Sequence, residues 1–162
     1  MKTESLGSAF GAILLLVAVA ACEASDLAHE VRQVFESFAH ACERGDVSAV
    51  LALYEEDARV IWLGEPEEAR GREALARLVT GGCRPEMEAT IELDDLEVRP
   101  IGESHAAAVL HGEYEMRTPD GQRRASFRVR LTQLLRRRSG KWRILVEHAS
   151  IGLPPPRRRE VP

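Results

Sequence analysis

A chain of 162 residues, 30% charged and 44% hydrophobic, is sized for one soluble domain with short appendages. Its formal charge of −4, with arginines interspersed among acids, excludes a basic surface built for nucleic acid, so no nucleic-acid partner is expected. Removing the first 21 residues deletes Lys2 and Glu4 together and leaves that charge unchanged.

In chain order, Lys2 precedes an uncharged run from Ser5 to Ala21, SLGSAFGAILLLVAVAA. This run falls a little short of the roughly 20 apolar residues that span a bilayer. It has the length and the small-residue ending of a secretory signal core. It ends Val19-Ala20-Ala21-Cys22, which resembles the lipobox of bacterial lipoproteins. The resemblance implies that residues 1–21 are removed, that Cys22 is diacylated, and that 22–25 form a short linker. The alternative is an ordinary cleaved signal beside an incidental cysteine, and Glu4 offsetting Lys2 departs from the usual basic start. Several acyl chains anchor stably where one holds marginally. The expectation is therefore a protein of the bacterial cell envelope, held on a membrane through Cys22, on the periplasmic or outer face.

From Asp26 to Gly45 the apolar residues Leu27, Val31, Val34, Phe35, Phe38 and Cys42 fall at three- and four-residue steps, which predicts a helix with one buried stripe. Asp46 is placed to cap a second helix, VSAVLALYEED, over residues 47–57. ARVIWL (58–63) has the β-branched and aromatic character of a strand, and GEPEEAR (64–70) that of a polar loop. GREALARLV (71–79) predicts a third helix, broken by two glycines and a proline. Four strands follow, over 90–101, 106–117, 125–138 and 141–152, with Thr-Pro-Asp-Gly as the hairpin signal between the second and third. Pro154 to Pro156 stop the sheet, and 154–162 is expected to be a disordered tail. Three helices before a mostly antiparallel sheet is an α+β order.

In an oxidising compartment Cys42 and Cys83 are a candidate disulfide; the alternative is that Cys42 is a small buried helix residue. The five histidines make no HxH or HExxH spacing and no CxxC is present, so neither a metal site nor a cofactor is expected.

The pieces ERGD (43–46), LALYEEDARV (51–60), GREAL (71–75), TPDGQ and RLTQLLRRRSGKWRILVEHAS resemble, in order and spacing, the nuclear-transport-factor-2-like superfamily in its SnoaL-like and ketosteroid-isomerase-like branch. The resemblance covers roughly 26–152 and implies a domain at 26–153. The implied fold is a cone, a curved sheet wrapped around the N-terminal helices with an open pocket. Its members include enzymes, ligand binders and dimerising modules, so the fold alone does not assign a role. Steroid-isomerase relatives use a tyrosine, a catalytic aspartate and a second acid. Those positions fall here at Phe38, at or near Trp62, and at about Thr132, none of which can take the same part.

What remains is a candidate ligand pocket. Trp62 would supply an apolar wall with one donor, and Tyr114 is a further inward candidate on a strand whose phase is open, with Ala107, Val109 and His111 on its other side. Arg130 could hold an anion bidentately, or lie solvated on the outer face. Alternation along the last strand puts Trp142, Ile144, Val146, His148 and Ser150 on one face and Glu147 on the other. His148 is then the candidate acid/base, with Ser150 as its neighbour or a ligand contact. The alternative is that both satisfy buried groups at the rim. The leading expectation is an anchored domain that binds a small apolar ligand. The others are an isomerase-, cyclase- or dehydratase-type enzyme using His148, and a homodimerising interaction module.

Overall fold

The stripe from Leu27 to Cys42 forms the inward face of α1, residues 26–43, in the computed structural model, which describes residues 26–62, 68–84, 88–117, 120 and 124–152. The signal-like run, Cys22 and the Pro/Arg-rich tail lie outside the described residues. Positive-φ Gly45 ends this helix region, and Asp46 caps α2 (Val47–Ala52) by accepting from the Ala49 amide at 2.9 Å.

α2 is shorter than its sequence suggests. Residues 54–57, expected as helix, instead open strand β1 (Tyr54–Ile61). The competing force is strand pairing: β1 runs parallel to the last strand, with Tyr54 beside Ile144, and the Ile144 amide donates to Leu53 O at 2.8 Å. Tertiary pairing outweighs the modest helix propensity of LALYEED. Asp57 consequently lies within a strand, exposed, 3.5 Å from Arg136. Part of the expected polar loop is a two-residue strand, β2 (Ala69–Arg70), and α3 (Gly71–Gly82) runs three residues past its expected end.

The remaining strands are β3 (Glu88–Ile101), β4 (His105–Arg117), β5 (Arg124–Arg138) and β6 (Lys141–Gly152). They complete a six-stranded, curved, unclosed sheet in the order β2-β1-β6-β5-β4-β3, antiparallel except at β1–β6. The inner face packs on the helices. Val31, Phe35, Val50, Leu75 and Val79 from the helices meet Tyr54, Val60, Leu110, Leu135 and Ile144 from the sheet. α1 is further tied to the β5–β6 end, where Glu30 accepts from Trp142 Nε1 at 2.8 Å and pairs with Arg137 at 3.2 Å.

Besides a register shift of β1 against β6 between Tyr54 and Arg59, bulges in β3 and β6 decide which of their residues reach that face. In β3 the register shifts between Leu93 and Asp95, so Ile91 and Leu93 face inward before it and Leu96 and Val98 after it. Gly112 lies opposite this bulge, where a Cβ would stand 2.4 Å from Glu92 O, so only glycine admits so close an approach. In β6, Leu135 pairs with Ile144 and Leu134 with Val146, which leaves Leu145 as the extra residue.

Cys42 and Cys83 are bridged, with Cα atoms 4.7 Å apart, joining the end of α1 to the end of α3.

Candidate functional site: an apolar cavity with a buried carboxyl

The β6 bulge reverses the expected alternation. Trp142 and Ile144 face inward as anticipated, but beyond Leu145 the inward residues are Glu147, Ala149 and Ile151. His148 and Ser150 turn to the outer face, where they pair with Thr132 and Arg130 of β5. His148, Thr132 and Arg130 are exposed. Four expected site residues thus form one outer cluster, away from the cavity, because one unpaired residue flips everything after it.

Between the helices and the inner face lies a partly open cavity of about 330 Å3. Phe35, Phe38 and Cys42 of α1 form one wall, Trp62 and Gly82 another, and Tyr114, Phe127, Val129 and Leu131 the sheet side. Phe38, Trp62 and Tyr114, the other sequence candidates, therefore come together here. Phe38 and Trp62 meet edge to face, centroids 5.8 Å apart. Gly82 makes room for the indole, since a Cβ there would stand 2.6 Å from the Trp62 ring.

The polar end of the cavity is a set of groups that the alternation pattern did not indicate. The Glu147 carboxyl is 3% exposed. Its Oε1 accepts from Trp62 Nε1, and its Oε2 accepts from Gln133 Nε2 and from the Tyr54 hydroxyl, the last at 3.1 Å. Desolvation raises the Glu147 pKa above the ordinary carboxylate range; the bonds from Trp62, Gln133 and Tyr54 pull the other way without cancelling it. Burial and the adjacent Glu147 push the Tyr54 phenol well above its usual value, so Tyr54 stays a donor. A carboxyl that can be neutral or charged within an apolar wall is suited to donating, accepting or transferring a proton.

A second buried carboxylate behaves oppositely. Glu55, also 3% exposed, is held 3.0 Å from Arg136, whose hydrogen bond lowers its pKa against the opposing effect of burial. Glu55 does not line the cavity and reads as a structural ion pair.

A sequence signal for the missed groups does exist. Ile144-Leu145-Val146 is a run of three apolar residues, where parity can change unnoticed. Glu147, Ala149 and Ile151 then make a second inward series offset by one.

The fold has many solved counterparts. An NTF2-like protein with a cystatin-like fold from Novosphingobium aromaticivorans is 21% identical, with TM-score 0.67 over 91% of this chain and 92% of that one. A ketosteroid isomerase-like protein from Erwinia carotovora atroseptica is 20% identical, with TM-score 0.65 over 78% and 97%. A proposed scytalone dehydratase from Novosphingobium aromaticivorans is 12% identical, with TM-score 0.70 over 77% and 83%. At these identities the likeness establishes the fold alone. No curated protein matches the sequence. Residues 31–154 match the family described as the SnoaL-like domain, and this NTF2-like, α+β chain belongs to that family.

Proposed function

We propose that the protein is an exported, lipid-anchored domain that binds a small, mostly apolar molecule in the cavity between the helices and the inner sheet face. The observation that carries this reading is the cavity itself. Its volume lies near the lower end of the ~300–1,000 Å3 usual for ligand pockets, and five aromatic side chains line it around a few convergent polar groups. Incubating the full chain with a metabolite extract, washing it and identifying retained compounds by mass spectrometry tests the proposal. Ala149→Phe, which fills the inner face beside Glu147, serves as the control. A compound held by the native chain and lost from the filled variant is expected; identical profiles for the two would end the reading.

Anchoring is separately testable. Cys22→Ser removes the acylated thiol and is expected to move the protein from the membrane to the soluble fraction. Unchanged membrane association would refute lipidation at this residue.

One observation favours a second reading, that the bound molecule is also turned over. The ionised Glu147 carboxylate would accept a proton from the ligand, and the acid form would return it at another atom, as an isomerase or dehydratase requires. Glu147, in contact with the cavity, replaces His148 as the acid/base in this scheme. A dehydratase in the neighbouring folds agrees with it, and a captured compound recovered unaltered would count against it.

A further inference from the structure

The hairpin that joins β5 to β6 reads RRRSGKWR over 136–143, five cations and no acid. Two of the cations are committed to the fold. Arg136 pairs with Glu55 at 3.0 Å and with Asp57 at 3.5 Å, and Arg137 pairs with Glu30 at 3.2 Å. No ion pair among the described residues takes up Arg138, Lys141 or Arg143, and the first two are exposed. Exposed acids flank the hairpin, Glu103 in the β3–β4 turn and Asp26 at the start of α1, but none lies on it.

Unpaired surface cations are ordinary by themselves; their place beside α1 is what gives these a partner. Glu30 accepts from Trp142 Nε1 at 2.8 Å and Arg137 packs over the Trp142 ring at 5.8 Å, so the hairpin is fastened to the first turns of α1. Asp26 opens that helix one turn earlier, roughly 6 Å along its axis. Residues 23–25 separate it from Cys22, a reach of at most about 14 Å. An acylated Cys22 therefore keeps Glu30, and the hairpin bonded to it, within about 20 Å of its point of insertion. The cavity residues Phe127 and Ile151 lie at the other ends of β5 and β6, roughly 33 Å along the strands from Arg137 and Lys141.

We propose that the β5–β6 hairpin docks on anionic phospholipid headgroups of the membrane that holds the anchor, through Arg138, Lys141 and Arg143. The proposal rests on acylation at Cys22, which brings the two surfaces together. Guanidinium forks suit phosphate oxygens bidentately, and the Lys141 ammonium adds a point charge. Each free cation favours contact with an anionic leaflet about fivefold, and the three together roughly a hundredfold. The docked domain turns the cavity end of the sheet away from the bilayer, so the cavity takes its ligand from the aqueous side.

The test is hydrogen exchange, read by mass spectrometry, on the full chain purified with its anchor. The chain is incorporated into vesicles of phosphatidylcholine alone or of phosphatidylcholine mixed with phosphatidylglycerol. Amides of 137–143 should exchange at least about threefold more slowly on the mixed vesicles, and high salt should remove the difference. Amides of 125–128, at the far end of β5, should exchange alike on both. Arg138→Gln combined with Lys141→Gln should abolish the slowing while the chain stays with both kinds of vesicle. Equal exchange on the two compositions in a retained chain overturns docking and leaves the anchor standing. Slowing that survives in the double variant overturns the assignment to the hairpin. A chain that washes off both kinds of vesicle overturns anchoring and docking together. The comparison of compositions uses the native chain alone, so it does not depend on whether the variant folds.

Discussion

A chain carrying Cys42→Ala and Cys83→Ala is expected to unfold roughly 10–15 °C below the native protein. The bridge closes a loop with a sequence separation of 41, and loop-closure entropy for that length is worth about 4 kcal/mol. Both cysteines are almost fully buried within the core cluster, so the bridge joins packed elements. Alanine leaves only a small void at each site, which keeps the lost cross-link as the dominant cause. Thermal unfolding followed by circular dichroism reads the effect, and a reductant should move the native midpoint in the same direction. A shift of only one or two degrees would show that the tie between α1 and α3 contributes little.

The other large effect concerns Glu147, where two substitutions should separate. Glu147→Leu strands the Tyr54 hydroxyl, the Trp62 indole N–H and the Gln133 amide, and is expected to cost roughly 3–5 kcal/mol. Glu147→Gln should cost far less, since its oxygen can accept from Trp62 while its amide donates to Tyr54 and to a turned Gln133. The two glutamates then predict opposite dependences on pH. Because burial raises the Glu147 pKa, the folded chain holds that proton more tightly than the unfolded chain does. Its contribution is fully present below the unfolded carboxylate pKa and is lost as pH rises through the higher folded value. Glu147→Gln lacks this loss, so its stability relative to native should improve as pH rises. Glu55, whose pKa Arg136 lowers, contributes above the unfolded pKa and loses that contribution as pH falls through the lower folded one. Denaturant titrations across pH measure both. A native-minus-variant difference that stays flat with pH would show that the Glu147 carboxyl is not perturbed.

Most of the architecture was legible in the chain. The stripe of α1, the cap at Asp46 and the long alternation of β5 each rest on local pattern, and local pattern is what sequence carries most directly. β1 was read four residues short because Tyr54 to Asp57 suit a helix until β6 is present to pair with them. The site was harder. Phe38 and Trp62 could be placed at the cavity from the α1 stripe and the run that ends β1, whereas Tyr114 was a candidate on a strand whose phase the sequence left open. Glu147 and Gln133 could not. A bulge is a property of two paired strands, and β6 alone offers only an uninformative apolar triplet at the point where it turns. In β3 the comparable bulge leaves a visible trace, the Asp94-Asp95 doublet between Leu93 and Leu96, because polar residues mark the change of phase there.

The Leu145 bulge also sets how this strand tolerates changes of length. Removing Leu145 would straighten β6 while leaving Ile144 opposite Leu135, Val146 opposite Leu134 and Glu147 opposite Gln133. The inner face would keep every residue it has. Removing His148 instead would turn Ala149 outward and bring Ser150 to the cavity, since no slack remains beyond the bulge to absorb the lost residue. A lineage of such chains can gain or lose a residue at one point of the strand at little cost to the pocket, and a few positions later the same event rewrites it.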